Sequence, residues 1–238
     1  MNFLNILFPA RCPVCGDIQE LNAAAGICKS CYRQLPFVTE PCCKHCGKPI
    51  ADGQTEFCYD CKKKKSSLTE GTALYVYTER MKKAMAQFKY GGSQVDGGVY
   101  GRELWKHRSG KLLAWQPDCI IPVPIHRRRQ WFRGYNQAEL LAETLSEAMK
   151  VPVFADCLER KRYTRPQKGL DDRMRLKNVQ GAFAWRKNFS GESVRGRNVL
   201  LVDDIYTTGA TLEGCGDILR EQGAKNVYFA CLCIGRDY

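Results

Sequence analysis

Two adjacent carboxylates, Asp203 and Asp204, are followed by three hydroxyls and a glycine in VLLVDDIYTTGAT, residues 199–211. The apolar run before the pair reads as a buried strand ending at the carboxylates, after which Ile205 to Gly209 must turn the chain into a helix. Such a turn gathers backbone N–H groups and the hydroxyls of Thr207, Thr208 and Thr211 at a helix N-terminus, where a phosphate monoester is favoured. Gly209 lets the backbone approach a ligand closely. Carboxylates repel phosphate, so Asp203 and Asp204 must face the vicinal hydroxyls of a ribose, or a Mg²⁺ ion with its waters. The plainer alternative is a strand followed by an acidic helix cap. No GxxxxGK[ST] is present, which disfavours Walker-type nucleotide binding.

This run resembles the signature of the type I phosphoribosyltransferase family in both order and spacing. The resemblance implies that Asp203 and Asp204 are the catalytic carboxylates at the ribose of phosphoribosyl pyrophosphate, bound with Mg²⁺. It also implies that Tyr206, Thr207, Thr208, Gly209, Ala210 and Thr211 hold the 5′-phosphate. A pyrophosphate needs a second anion site, and IPVPIHRRRQWFRGYNQ, residues 121–137, offers one in what reads as a basic loop after a strand. Arginine forks match phosphate oxygens, so Arg127, Arg129 and Arg133 are the candidates, with a solvated basic turn as the alternative for each. His126 reads as structural rather than catalytic. Residues 156–183 are polar, basic and without clear period, as expected of a long loop, and the stretch 158–183 looks like the hood that closes over substrate in that family. Closure would exclude water from a carbocation-like centre. Arg160, Arg162, Thr164, Gln167 and Arg173 are the hood candidates.

Four CxxC pairs supply a different chemistry: Cys12/Cys15, Cys28/Cys31, Cys43/Cys46 and Cys58/Cys61. Two pairs give the four thiolates of a closed structural zinc site, so eight predict two Zn²⁺ ions. Pairing of neighbours makes two ribbons in series; a cross-braced arrangement stays open, and disulfides or a redox pair are the bland alternatives. Cys42 and His45 lie beside the third pair and are not expected to ligate. Segments this small lack apolar residues for a core, so metal binding would supply much of their folding free energy.

Alternating strands and helices must position these groups. TALYVY (72–77) alternates as a strand, Met81, Ala84, Met85 and Phe88 fall at helical spacing, and a second helix is expected over 100–113. CIIPVPI (119–125), a helix with Leu140, Leu141, Leu145 and Met149 on one face, and a strand VPVF (151–154) follow. The last third repeats the pattern, with Leu212, Cys215, Ile218 and Leu219 inward, Gly223 as a stop and the strand VYFACLCI. The fold class is therefore α/β, a parallel sheet with helices on both faces, preceded by a small cysteine module. Residues 1–65 are expected to form that module and 66–238 the phosphoribosyltransferase-like domain, joined by a linker at the lysine run 62–65 and Ser66-Ser67.

Of the 14 cysteines nine lie between Cys12 and Cys61, a usage that favours metal ligation in a reducing, cytoplasmic setting. MNFLNILFP is too short for a secretory core and reads as a segment packing on its own protein, and no apolar run reaches the ~20 residues of a membrane span. A formal charge of +12 calls for an anionic partner, polyphosphate or nucleic acid; 15 Lys or Arg against 7 Asp or Glu lie between Ile120 and Lys187. Lys62 to Lys65 with Tyr59 could track a single strand and stack a base, whereas a ribbon module could equally be a protein-docking platform.

Taken together, the CxxC pairs, PVP with RGYNQ, the PQ and DRMRLKNVQGAF stretches, and LLVDDIYTTGAT resemble the ComF family of competence-associated proteins over nearly the whole chain. That resemblance implies a double zinc ribbon joined to a phosphoribosyltransferase-like domain. It further implies a cytoplasmic role in natural transformation, in which incoming single-stranded DNA is handled together with a competence helicase. The acceptor for a transferred phosphoribosyl group is not legible, and a phosphoribosyltransferase of nucleotide or related metabolism is the alternative reading.

Overall fold

The structure is a computed structural model that describes residues 9–19, 25–51, 53–63, 65–91, 93–162, 181–187, 189 and 191–236. The apolar segment at residues 1–8 lies outside them, as do Lys64 and residues 163–180.

The cysteine module is one local design used twice. CPVCG and CKHCG each turn on a left-handed glycine, Gly16 (φ +82°) and Gly47 (φ +73°), whose N–H donates to the first cysteine carbonyl at 2.8 Å. A side chain at position 47 would also meet the Gly71 carbonyl at 2.9 Å, so only glycine fits there. The partner pairs sit at two short helices, α1 (Lys29–Tyr32) and α2 (Tyr59–Lys63).

Then follow β1 (Glu70–Val76), α3 (Glu79–Tyr90), α4 (Val95–Ala114), β2 (Cys119–Pro122), α5 (Arg127–Arg133) and α6 (Gln137–Met149). The chain ends with β3 (Leu158–Arg160), β4 (Phe183–Trp185), β5 (Asn198–Tyr206), α7 (Ala210–Glu221) and β6 (Asn226–Ile234). Strands β1-β6-β5-β2 form one sheet, and every pairing in it is parallel. The helices α3, α4 and α6 bury Met81, Phe88, Leu104, Leu141 and Leu145 against one face, and α7 buries Leu212, Cys215 and Leu219 against the other.

Five local expectations change. Helix α4 starts at Val95 rather than near residue 100, because Gly97 and Gly101, which carry no apolar signal, are its contact face: a Cβ there would lie 2.4 Å from Leu140 Cβ and 2.5 Å from Thr144 Cβ. The basic loop is helix α5, invisible to apolar periodicity because it buries no residue. Its start is fixed by His126, whose Nδ1 accepts from the Arg128 N–H at 3.2 Å, and its end by left-handed Gly134. The strand expected at 151–154 is one parallel bridge, Val153 to Ile120. Strand β5 does not stop at Asp203-Asp204 but runs to Tyr206, because Asp203, Ile205 and Tyr206 stay in register with Cys231, Cys233 and Ile234 of β6. Residues 156–183 were expected to lack structure, but their ends pair as the antiparallel ribbon β3–β4.

The cysteine module grips the sheet's edge. Phe37 bridges Tyr75 of β1, with Val38 N–H donating to Leu74 O (2.9 Å) and Val76 N–H to Pro36 O (2.7 Å), so the chain between the two cysteine clusters occupies a strand edge that would otherwise be open. Arg108 ties the two chains together by donating to Ala73 O (2.9 Å) and Val38 O (2.7 Å). The expected linker is also pinned, since Ser66 Oγ (2.8 Å) and Ser67 Oγ (3.1 Å) donate to the Glu213 carboxylate in the first turn of α7. Cys12, Cys31 and Leu35 join the core under α3 and α4, while Cys43, Cys46 and Cys58 join the core under α7.

Gly101→Ala should overpack the α4–α6 contact and lower stability by about 1–3 kcal/mol, read as a reduced urea midpoint at unchanged denaturant slope.

Candidate functional site

The first-cluster thiols of Cys12, Cys15, Cys28 and Cys31 lie within 4.8 Å of one another, as do those of Cys43, Cys46, Cys58 and Cys61. Tetrahedral zinc with ~2.3 Å bonds sets its sulfurs about 3.8 Å apart. The Cys15–Cys28 and Cys46–Cys58 separations of 3.9 and 3.7 Å fit that ion. Neighbouring pairs are therefore brought together, and the cross-braced alternative is not adopted. Backbone N–H groups of Cys28 and Cys31 point at the sulfurs of Cys12 and Cys28, each at 3.4 Å, which suits thiolates. Cys42 donates its thiol to Thr39 O at 3.2 Å, and His45 spans from Cys61 Sγ (3.6 Å) to Leu68 O (3.1 Å), so neither completes a cluster.

The second constellation lies at the C-terminal ends of β2 and β5, where open parallel sheets place ligands. A cleft of about 1470 Å³ opens there, walled by Asp203, Asp204, Thr207 and Thr211 on one side and by Arg129, Arg133 and Arg160 among others. Arg127 lies at its mouth and is exposed. Arg162 is exposed and is not part of the wall; Gln167, like Thr164 and Arg173, lies outside the described residues.

Tyr206 borders the concavity at the turn, while its side chain packs into the core. Its ring is buried, stacked on Phe229 with centroids 5.0 Å apart, and faces the second cysteine cluster, whose charges together with burial raise its pKa. The ring lies under the turn, because a Cβ on Gly209 would fall 2.6 Å from the Tyr206 hydroxyl oxygen. Gly209 itself is left-handed (φ +75°) and caps α7. Asp203, Tyr206, Thr207, Gly209, Ala210 and Thr211 surround a small concavity, and Thr208 Oγ1 is buried with no hydrogen-bond partner among the described residues.

Lys89, at the end of α3, completes the site, and its Nζ lies 2.5 Å from Asp204 Oδ2. No spacing rule reveals it, since 115 positions separate it from its partner; the signal available was a lysine closing an otherwise apolar helical face. RGYNQ holds it in place. Tyr135 Oη and Gln137 Nε2 both donate to Phe88 O, at 2.6 and 3.3 Å, while Arg133 reaches Gln137 Oε1 (3.0 Å) and Tyr90 Oη (3.3 Å). Asn136 caps α6 and donates to Val123 O at 3.0 Å.

Burial and then the neighbouring Asp204 charge push the Asp203 pKa up to about 8. Burial opposes the Lys89 ammonium, but the Asp204 charge outweighs it and leaves that pKa raised. Burial, followed by repulsion from Arg129, lowers the Arg160 pKa. The cleft thus sets the Lys89–Asp204 ion pair beside a carboxyl whose pKa is raised, with the guanidinium groups of Arg129, Arg133 and Arg160 in the same cleft.

A parallel sheet with a threonine-rich turn after a diacidic strand end, fronted by two four-cysteine clusters, defines a phosphoribosyltransferase-type domain carrying a double zinc ribbon. Family comparison agrees: residues 3–62 match the double zinc ribbon domain, and residues 135–238 the phosphoribosyl transferase domain. Among curated proteins the chain is similar to Competence protein F of Haemophilus influenzae, at 32% identity over 95% of this chain and 96% of that one. It is also similar to the DNA utilization protein YhgH of Escherichia coli K12 (29%, covering 87% and 90%) and to Competence protein ComFC of Bacillus subtilis (28%, covering 83% and 79%). The chain belongs to the ComF family of competence proteins. No described helix is long and apolar enough to cross a membrane.

Metal analysis of the purified protein should return two zinc ions per chain, falling to one in Cys15→Ser; a count unchanged by that substitution would contradict the first cluster. A carboxyl whose pKa rises on folding adds stability that is complete below ~4 and is lost as pH climbs through its folded value. The ligand-free protein should therefore lose thermal stability between pH 5 and pH 8, and Asp203→Asn should flatten that slope.

Proposed function

We propose that the protein binds phosphoribosyl pyrophosphate with Mg²⁺ in this cleft and acts in the handling of single-stranded DNA during natural transformation. The carrying observation is the placement, within one cleft, of the Asp203–Asp204 pair, Thr207 and Thr211 together with Arg129 and Arg133. In this reading the turn holds the 5′-phosphate by its backbone N–H groups and by the partnerless Thr208 hydroxyl, a built-in donor for an anion. Arg129 and Arg133 hold the pyrophosphate by charge-assisted bonds. Asp203 and Asp204 take the ribose hydroxyls, and Lys89, paired with Asp204, holds that carboxylate in position. Two of the relatives are named for competence and one for DNA utilization, which supports the transformation role.

A second reading, transfer of the phosphoribosyl group to an acceptor, draws on the β3–β4 ribbon, which brings Arg160 to the cleft from the base of the expected hood. Gripping both ends of the ligand would stabilise charge developing at C1′ as pyrophosphate leaves, and closure of the hood would keep water out.

Calorimetric titration of phosphoribosyl pyrophosphate with Mg²⁺ should show one site per chain, weakened at least ~100-fold by Asp203→Asn/Asp204→Asn, a loss on the scale of two charged hydrogen bonds. Absence of binding by the wild type would reduce the motif to scaffold. Pyrophosphate release that rises with an added base, nucleoside or oligonucleotide would establish the transferase reading.

A further inference from the structure

Helix α5 inverts the usual burial rule. Trp131 is 86% exposed and Phe132 75%, the highest values among the exposed large apolar residues described. Neither ring belongs to a core cluster. Nor do they hold the helix in place, since α5 is fixed by the His126 cap, left-handed Gly134 and the Arg133 bonds to Gln137 and Tyr90. Both rings line the mouth of the cleft, on a helix that also carries Arg127, Arg128, Arg129 and Arg133. Two adjacent solvent-facing aromatics have no folding role here, and such patches mark contact surfaces.

The occupant follows from charge and shape. Aromatic faces set among guanidinium groups complement a partner made of flat apolar faces joined by negative links, which is a strand of unpaired nucleotides. A lipid surface would need a broad apolar stripe, whereas seven-residue α5 offers two large apolar side chains among four arginines. A second copy of the chain would bring another +12 charge against this face.

We propose that α5 is the stacking platform for single-stranded nucleic acid: Trp131 and Phe132 each stack on an unpaired base, and Arg127 and Arg128 contact the flanking phosphates. The platform deepens the single-stranded DNA part of the proposed function and rests on it. It moves the main base contact away from Tyr59, whose ring is covered by the Lys63 ammonium at 3.8 Å. All four arginines line the cleft, Arg127 and Arg128 being the more exposed, so the strand would lie across the entrance to the sugar-phosphate site.

The test is fluorescence anisotropy of a labelled oligothymidylate of roughly 20 nucleotides, long enough to exceed one binding site, titrated with full-length protein. Trp131→Ala/Phe132→Ala should weaken binding about tenfold or more, as loss of base stacking does, with zinc content and unfolding midpoint as controls for folding. Trp131→Phe should keep most of the affinity but lose the oligonucleotide-induced quenching of tryptophan fluorescence. A blunt duplex should bind more weakly than the single strand. Wild-type affinity in the double alanine variant, or equal affinity for duplex and single strand, would overturn the platform while leaving the DNA-handling role intact. No binding of the oligonucleotide by the wild type would overturn both. Preference for phosphatidylcholine–phosphatidylserine vesicles over the oligonucleotide, lost in the double variant, would assign the patch to a membrane surface instead.

Discussion

Eight thiols gathered into two knots of four, each within 4.8 Å, are stable as thiolates only around cations, and the rest of the architecture leans on those knots. The chain from residue 9 to 63 has no helix longer than five residues among its described elements and little apolar surface of its own. Metal ligation lets so small a segment be rigid, and rigidity lets it cap both faces of a sheet. The first cluster closes the core under α3 and α4, the second closes the core under α7, and the short chain between them seals the β1 edge. Burying backbone polar groups at an edge is tolerable only when they are paired, which the Pro36 to Val38 bonds accomplish.

The second cluster shares its core with the threonine-rich turn. Tyr206 is stacked on Phe229 in the core that also holds Cys43, Cys46 and Cys58, and its hydroxyl occupies the space a side chain at position 209 would need. Glu213, one turn further along α7, is bonded to Ser66 and Ser67 directly after the lysine run. The threonine-rich turn is thus backed by the core that holds the second cysteine cluster and is tied to the connector through Glu213. Preorganised backbone donors cost no reorganisation when an anion arrives, which is the advantage of building such a turn on rigid supports.

Charge explains the carboxylate pair. Two part-buried carboxyls side by side cannot both ionise cheaply, and the structure treats them asymmetrically: Lys89 pairs with Asp204, while the Asp203 pKa is raised. Much of RGYNQ, read from sequence as anion-binding, works to place that lysine, because Tyr135 and Gln137 converge on the carbonyl of Phe88 next to it. Arg133 serves both purposes, bonded to Gln137 and Tyr90 while facing the cleft.

By itself the sequence determined what depends on short-range pattern: the parallel α/β class, the four cysteine pairs, and a diacidic strand end running into a threonine-glycine turn. Those features are local, since strand periodicity, a CxxC turn and a helix N-terminus each need only a few consecutive residues. Its misreadings fell where local pattern carries no signal, as in α5, whose large apolar residues face outward, and the start of α4, whose contact face is glycine. Tertiary structure alone decided the pairing of neighbouring cysteine pairs, the stacking of the Tyr206 ring on Phe229, and the meeting of Lys89 with Asp204. The last joins groups far apart along the chain, and the sheet order β1-β6-β5-β2 is what brings the first and last thirds side by side.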